Sequence, residues 1–364
     1  MTHVDIRTPR PFDAARAEAF AGRMVESLNA AAAMLMTSIG HRTGLFDAMA
    51  ALPGPADSAA IAAAAGLNER YVREWLSAMA VAGFVDYDPE AATFRLPPEH
   101  AACLTRAATP DNLAVFAQFF PVVGSAEQRL IECFRTGEGT RYDDYPCFHQ
   151  VMAEDSGQTV VASLFDHVLP LAPGLEARLA EGIDVLDAGC GSGRALVALA
   201  ERFPRSRFTG YDLCADAVAR AREAAAAAGV DNLRIDQRDL TGWSEPGAYD
   251  FITSFDAVHD QKDPQGLIAG IRRSLKPGGV YLMQDIGGSA HLADNLDHPL
   301  GTLLYTVSCL HCMPVSLGQG GAGLGTMWGW QTAERMLREA GFAAIERHTL
   351  AHDPMNVWFV STAP

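Results

Sequence analysis

Val185-Leu186-Asp187-Ala188-Gly189-Cys190-Gly191-Ser192-Gly193-Arg194 constrains this chain more than any other stretch. A short apolar run ends on an acid, three alternating glycines follow, and an amphipathic run begins at residue 195. Strand, glycine turn and helix in that order let the backbone approach a ligand closely, with helix N-terminal N–H groups facing it. A dinucleotide turn of the G-x-G-x-x-G kind needs its third glycine where Arg194 stands, which disfavours a nicotinamide cofactor.

From residue 183 onward apolar runs alternate with helical ones, which predicts parallel strands covered on both faces. The expected strands are 184–187, 207–211, 233–236, 251–255, 280–285, 344–350 and 357–361, the last a late hairpin partner. In such sheets the ligand lies beyond the C-terminal strand ends. Acids stand there: Asp187 after the first strand, Asp212 before Leu213 after the second, and Asp239 before Leu240 after the third. Asp212 can accept from both hydroxyls of a ribose, and Asp187 is suited to orient an ammonium group. A cationic ligand fits these ends better than a pyrophosphate does.

The first third is different. Residues 14–39 carry apolar side chains at helical spacing, in one or two helices, and 44–51 form a short helix stopped by Leu52-Pro53-Gly54-Pro55. Ser58 is placed to cap a helix over 59–65 and Asn68 one over 69–82. Two alternating runs, 84–87 and 93–96, then read as a small hairpin. The pattern is a winged helix. Between residues 42 and 101, four arginines (42, 70, 73, 95) face eight acids (47, 57, 69, 74, 86, 88, 90, 99). A groove reader presents a basic face, so packing and dimerisation are the expected use. Further helices are expected over 112–120 and 126–134, and one from Phe148 to about residue 169.

Composition closes off other classes. The net charge of −16, with only Lys262 and Lys276 as lysines, argues against nucleic acid as a partner. No apolar run is long enough to cross a bilayer, and residues 1–10 lack a secretory pattern. Seven scattered cysteines fit a reducing cytoplasm. Cys309-x-x-Cys312 has no second such pair, so no metal site is expected. Beside His311 and Met313 it reads as a soft pocket lining that would suit a thiol or sulfide.

The acid followed by G-x-G-x-G at 187–193 resembles the cofactor turn of class I S-adenosylmethionine (SAM) methyltransferases. So do Leu275-Lys276-Pro277-Gly278-Gly279, His259-Asp260 after the fourth strand, and the Phe148-x-x-x-Met152-x-x-x-Ser156 phrase. With the winged helix, the chain is similar to small-molecule O-methyltransferases of bacteria and plants. The resemblance implies a doubly wound, seven-stranded, Rossmann-like α/β sheet over 141–364, behind a helical winged-helix domain over 1–140 that forms a homodimer. It implies SAM held by Asp187, Gly189, Gly191, Gly193, Asp212, Leu213, Asp239 (at the adenine), Leu240, Phe255 and Met152. His259 would be the base, with Asp260 beside it. The small-molecule acceptor would meet Phe148, Cys309, His311, Cys312 and Trp328, under a lid or pocket formed by the insertion 287–330. A SAM-sensing winged-helix regulator is the alternative.

Overall fold

The computed structural model describes residues 11–364, so the secretory reading of residues 1–10 lies outside the described residues. The chain divides into two compact units, Met1–Pro121 and Val122–Pro364, nineteen residues ahead of the boundary expected at 140. The segment 122–140 packs with the second unit because its far end is bonded there: the Thr140 amide donates to the Pro314 carbonyl at 2.9 Å.

The first unit opens with one continuous helix, α1 (Ala14–Thr43), ended by Gly44 in the left-handed region. Then come α2 (Leu45–Ala51), α3 (Ser58–Ala65), α4 (Glu69–Val81), the hairpin β1 (Asp86–Asp88) and β2 (Thr93–Arg95), and α5 (Pro98–Leu104). Phe46, Ile61, Trp75, Leu76 and Met79 form its core, with the Phe46 and Trp75 rings edge to face at 5.2 Å. Two expectations shift. Asp57, not Ser58, caps α3: its carboxylate accepts from the Ala60 amide at 2.8 Å, while Ser58 is the first helical residue. The first wing strand starts two residues late, because the Phe84 and Val85 amides turn back to the Met79 carbonyl and close α4. On α4 both arginines are spent on ion pairs, Arg70 with Glu74 and Arg73 with Glu69.

A 3-10 turn at Leu113–Gln118, capped by Asn112, and α6 (Phe119–Gly124) replace the single helix expected over 112–120, and α6 runs through Pro121. Next are α7 (Glu127–Thr136), α8 (Phe148–Thr159) and α9 (Leu175–Glu181). The helix expected to reach residue 169 ends at Thr159, where the β-branched run Thr159-Val160-Val161 gives way to 3-10 and π turns. The sheet follows: β3 (Asp184–Ala188), α10 (Arg194–Arg202), β4 (Arg207–Asp212), α11 (Ala215–Ala228), β5 (Leu233–Gln237), β6 (Tyr249–Phe255), α12 (Pro264–Ser274) and β7 (Leu275–Ile286). A helical excursion, α13 (Gly301–Val307) and α14 (Met313–Gly318), precedes α15 (Trp330–Glu339), β8 (Ala344–Leu350) and β9 (Asp353–Thr362).

The strand order is β5-β4-β3-β6-β7-β9-β8, parallel except for β9, which runs antiparallel to both β7 and β8. This is the doubly wound, seven-stranded arrangement expected. Side-chain alternation covers both faces: Val185, Phe251, Leu282 and Trp358 pack on one, Leu186, Ile252, Tyr281 and Phe359 on the other. Order reverses between β3 and β6, which opens the crevice where the strand-end acids converge. Among the described residues no helix is long and apolar enough to cross a membrane.

Candidate active site

At the end of β3 the chain turns back through three glycines of positive φ before α10 starts at Arg194. At Gly189 an added Cβ would come within 2.5 Å of the Ala257 Cβ, so the residue is fixed by contact with the loop after β6. Gly191 differs: a Cβ there meets nothing within 4 Å, and it faces open space beside the strand ends. Asp212 braces the turn. Its Oδ2 accepts from the Gly191 amide and its Oδ1 from the Cys214 amide, both at 2.8 Å. Asp187 is buried at the end of β3, where Thr253 Oγ1 donates to its Oδ1 at 2.9 Å. Burial, countered in part by that hydrogen bond, lifts its pKa to about 7. The Arg194 guanidinium donates to the Ala153 carbonyl at 2.8 Å, tying α8 to this turn.

The other expected donor residues fall around the same crevice. Asp239 is exposed and accepts from the Thr241 amide at 2.8 Å, which holds its carboxyl below the usual range. Leu240 is buried and Leu213 exposed. Phe255, at the end of β6, packs edge-on against Trp358. Met152 lies half-buried on α8. On the same helix, Asp155 is buried with one carboxylate oxygen lacking a partner, and burial lifts its pKa to about 7. Two buried acids, Asp187 at the end of β3 and Asp155 on α8 with one oxygen unpartnered, fit a ligand with ammonium and sulfonium charge, and the open face of Gly191 leaves room for it.

His259 follows β6 and is only 4 % exposed. Its Nδ1 lies 2.7 Å from Oδ1 of Asp285 on β7, an oxygen that also accepts from Trp328 Nε1 at 2.9 Å and from the Ile286 amide at 2.8 Å. Burial pulls the imidazole pKa down, but the Asp285 charge outweighs it and holds the ring well above its ordinary value. Asp285 is therefore the acid that orients His259. Asp260, expected beside the base, turns instead to Tyr142, whose hydroxyl donates to its Oδ2 at 2.6 Å. Sequence reasoning passed over Asp285 although its strand ends on an acid, the same signal that singled out Asp187 and Asp212. Trp328, expected against the acceptor, is buried behind the pair with its indole N–H committed to Asp285.

The insertion is more helical than expected, and its chemistry sits in a π-helical turn, Ser308–Cys312, between α13 and α14. That turn splits the motif. Cys312 is buried, with its Sγ 3.6 Å from Nδ1 of the neighbouring His311 and its thiol acting electrostatically on His259, and His311 is fully buried. The His311 ring stacks on Phe148 with centroids 3.7 Å apart, and Tyr145 meets it edge-on at 4.6 Å. Burial drives the His311 pKa down to about 3, so it is neutral, and its Nε2 has no partner. Cys309 faces the other way, into an outer groove of about 530 Å³ with Leu296, His298 and Tyr305. The glycine-rich stretch after α14 is held in place: the Ala322 amide donates to the Lys262 carbonyl and the Gly323 amide to Ser316 Oγ.

Known proteins match both units. Residues 31–106 match the family described as the Rv2258c-like winged HTH domain, and residues 179–341 match a methyltransferase domain family. The trans-aconitate 2-methyltransferase of Acidovorax sp. (strain JS42) is 32% identical over 120 residues, 33% of this chain and 42% of that protein. The ubiquinone biosynthesis O-methyltransferase of Sodalis glossinidius is 36% identical over 118 residues, 31% of this chain and 43% of that protein. The chain thus spans less than half the length of these relatives. Among solved structures, human N-acetylserotonin methyltransferase in complex with SAM superposes with a TM-score of 0.68 at 16% identity, covering 98% of this chain and 99% of that one. Mitomycin 7-O-methyltransferase gives 0.65 at 20% identity, covering 96% and 100%. At such identities the likeness establishes the fold. The chain joins a winged HTH domain to a methyltransferase domain.

Proposed function

We propose that this protein is a SAM-dependent methyltransferase acting on an oxygen of a small molecule. SAM bound across the 189–193 turn supplies an electrophilic methyl group on its sulfonium. Gly191 allows close backbone approach, Asp212 meets the ribose with the edges left free by its two amide donors, and Asp187 faces the cationic end. Asp239, with Leu240 and Leu213, borders the adenine, while Met152 and Phe255 flank the cofactor. The SAM complex of the N-acetylserotonin methyltransferase supports the donor, and the likeness to a ubiquinone biosynthesis O-methyltransferase and a mitomycin 7-O-methyltransferase supports an oxygen acceptor.

The observation that carries the acceptor chemistry is His259 held by buried Asp285 at 2.7 Å. The imidazole takes the acceptor's proton, and Asp285 fixes the ring and stabilises the imidazolium that forms. A thiol ionises readily without such a pair, and the soft lining that favoured sulfur is divided between two sides of the insertion. Phe148, His311 and Cys312 border the acceptor on the inner side. Replacing His259 by Ala should lower turnover by about 10²- to 10⁴-fold while S-adenosylhomocysteine affinity stays within about twofold. Full activity in that variant contradicts the base role.

The assembly reading is a homodimer through the first unit. Phe20, Met24, Leu28, Leu35 and Ile39 form an exposed apolar stripe along α1, larger than a lone soluble helix leaves bare. The paired arginines on α4 speak for such packing over DNA reading, and a cytoplasmic setting suits a chain rich in free thiols.

A further inference from the structure

Next to the His259–Asp285 pair stands a third group that the methyl-transfer reading does not use. Asp256 follows β6 and holds φ at 49°, a left-handed conformation uncommon outside glycine. Its Oδ1 is buried and has no hydrogen-bond partner; Oδ2 of Asp285, a residue fully buried, has none either. One ligand atom each from Asp256, His259 and Asp285 lies within 4.8 Å of the other two. Asp155 and Asp353 also act electrostatically on Asp256, which deepens the negative potential at this point.

We propose that Asp256, His259 and Asp285 form a zinc-type site for a divalent transition-metal ion. The donors are two carboxylates and one imidazole, a mixed set that favours zinc, or manganese and iron, over the all-oxygen cages of calcium and magnesium. Ligand atoms about 2.1 Å from one tetrahedral ion stand about 3.4 Å apart. The His259–Asp285 contact would open from 2.7 Å by a fraction of an ångström, and the longest separation would contract by about 1.4 Å or less. Three protein ligands leave the fourth position to water. The ion accepts the Nδ1 lone pair, and any proton on that nitrogen or on the buried Asp256 carboxyl, which burial pushes well above the usual range, leaves to solvent as the ion binds. His259 then loses the Asp285 contact that orients it. Zinc is therefore an inhibitor of methyl transfer, a consequence that rests on the proposed function, whereas the site itself does not.

The test uses the full chain after chelator treatment. Calorimetric titration with zinc should give one bound ion per chain, and cobalt in its place should produce the visible absorption of a four-coordinate site. Asp256→Asn should weaken zinc binding by at least about tenfold and remove most of the cobalt band. Asn adopts the left-handed region as readily as Asp, so the variant should melt with the wild type in chelator. No stoichiometric heat and no cobalt band would overturn the site. So would an Asp256→Asn protein that binds like wild type, which would assign the ion to His149, Cys214 and Asp216. Neither readout needs an acceptor, so the outcome is separable from any failure of the methyl-transfer reading.

Discussion

Asp212 meets the Gly191 amide across a single strand–helix–strand unit, and both hydrogen bonds by which it braces the glycine turn lie in or beside that unit, with Ala257 and Ala153 as the outside contacts. His259 is assembled differently. Asp285 comes from the next strand, Trp328 from the far end of the insertion, and Cys312 from a π-helical turn in its middle. The donor half is thus set by local chain geometry and the acceptor half by tertiary packing. A glycine turn can be moved between proteins as a piece; a base held by three separate segments can be retuned by changing any one of them. That difference is a physical reason for one donor site to serve many acceptors.

The comparison yields effects of graded size. Asp285→Asn should leave the fold and the donor half intact and lower turnover by about 10²-fold or more, because the imidazolium loses its partner. A matching loss of S-adenosylhomocysteine affinity would mean that the two halves are not separable. Next comes pH. Asp187 keeps its proton up to about pH 7 in the free protein, well above its ordinary value. Because the folded-state pKa is raised, its stabilising share is complete below the ordinary carboxylate range and is lost as pH rises through about 7. A cationic ligand favours the ionised form, so cofactor affinity should rise by up to about tenfold from pH 6 to pH 8 and then level. Isothermal titration across that range checks it, and Asp187→Asn should flatten the profile. The smallest effect is expected from Trp328→Phe, which keeps the ring packing and removes one of three donors to Asp285. Turnover should fall by about tenfold or less, with the Michaelis constant for the donor unchanged.

The same contrast explains what was legible in the sequence. All seven strands were, the central ones because their apolar runs are covered on both faces and the exposed edge strand β8 because it alternates ahead of its hairpin partner; so was the turn at Gly189–Gly193, because strand, acid and glycines adjoin. Asp285 was legible in principle as a strand-end acid, but its pairing with His259 depends on the β6–β7 register, which no local pattern states. Tyr142 on Asp260 and Trp328 on Asp285 left no signal, being contacts across 118 and 43 residues. The separation of Cys309 from Cys312 was hidden for another reason. A C-x-x-C spacing places both thiols on one side of an α-helix, whereas a π turn rotates one away. The wing strand and the α3 cap missed by one or two residues, where competing local hydrogen bonds decide the boundary.

The central claim is that the 189–193 turn, braced by Asp212, is a SAM site. Its most direct test is calorimetric titration of the full chain with S-adenosylhomocysteine, wild type beside Asp212→Ala. The account predicts one molecule bound per wild-type chain and affinity weakened by about 10- to 100-fold in the variant, the worth of a charge-assisted hydrogen bond. Absence of binding to the wild type, or equal binding by both proteins, would contradict it.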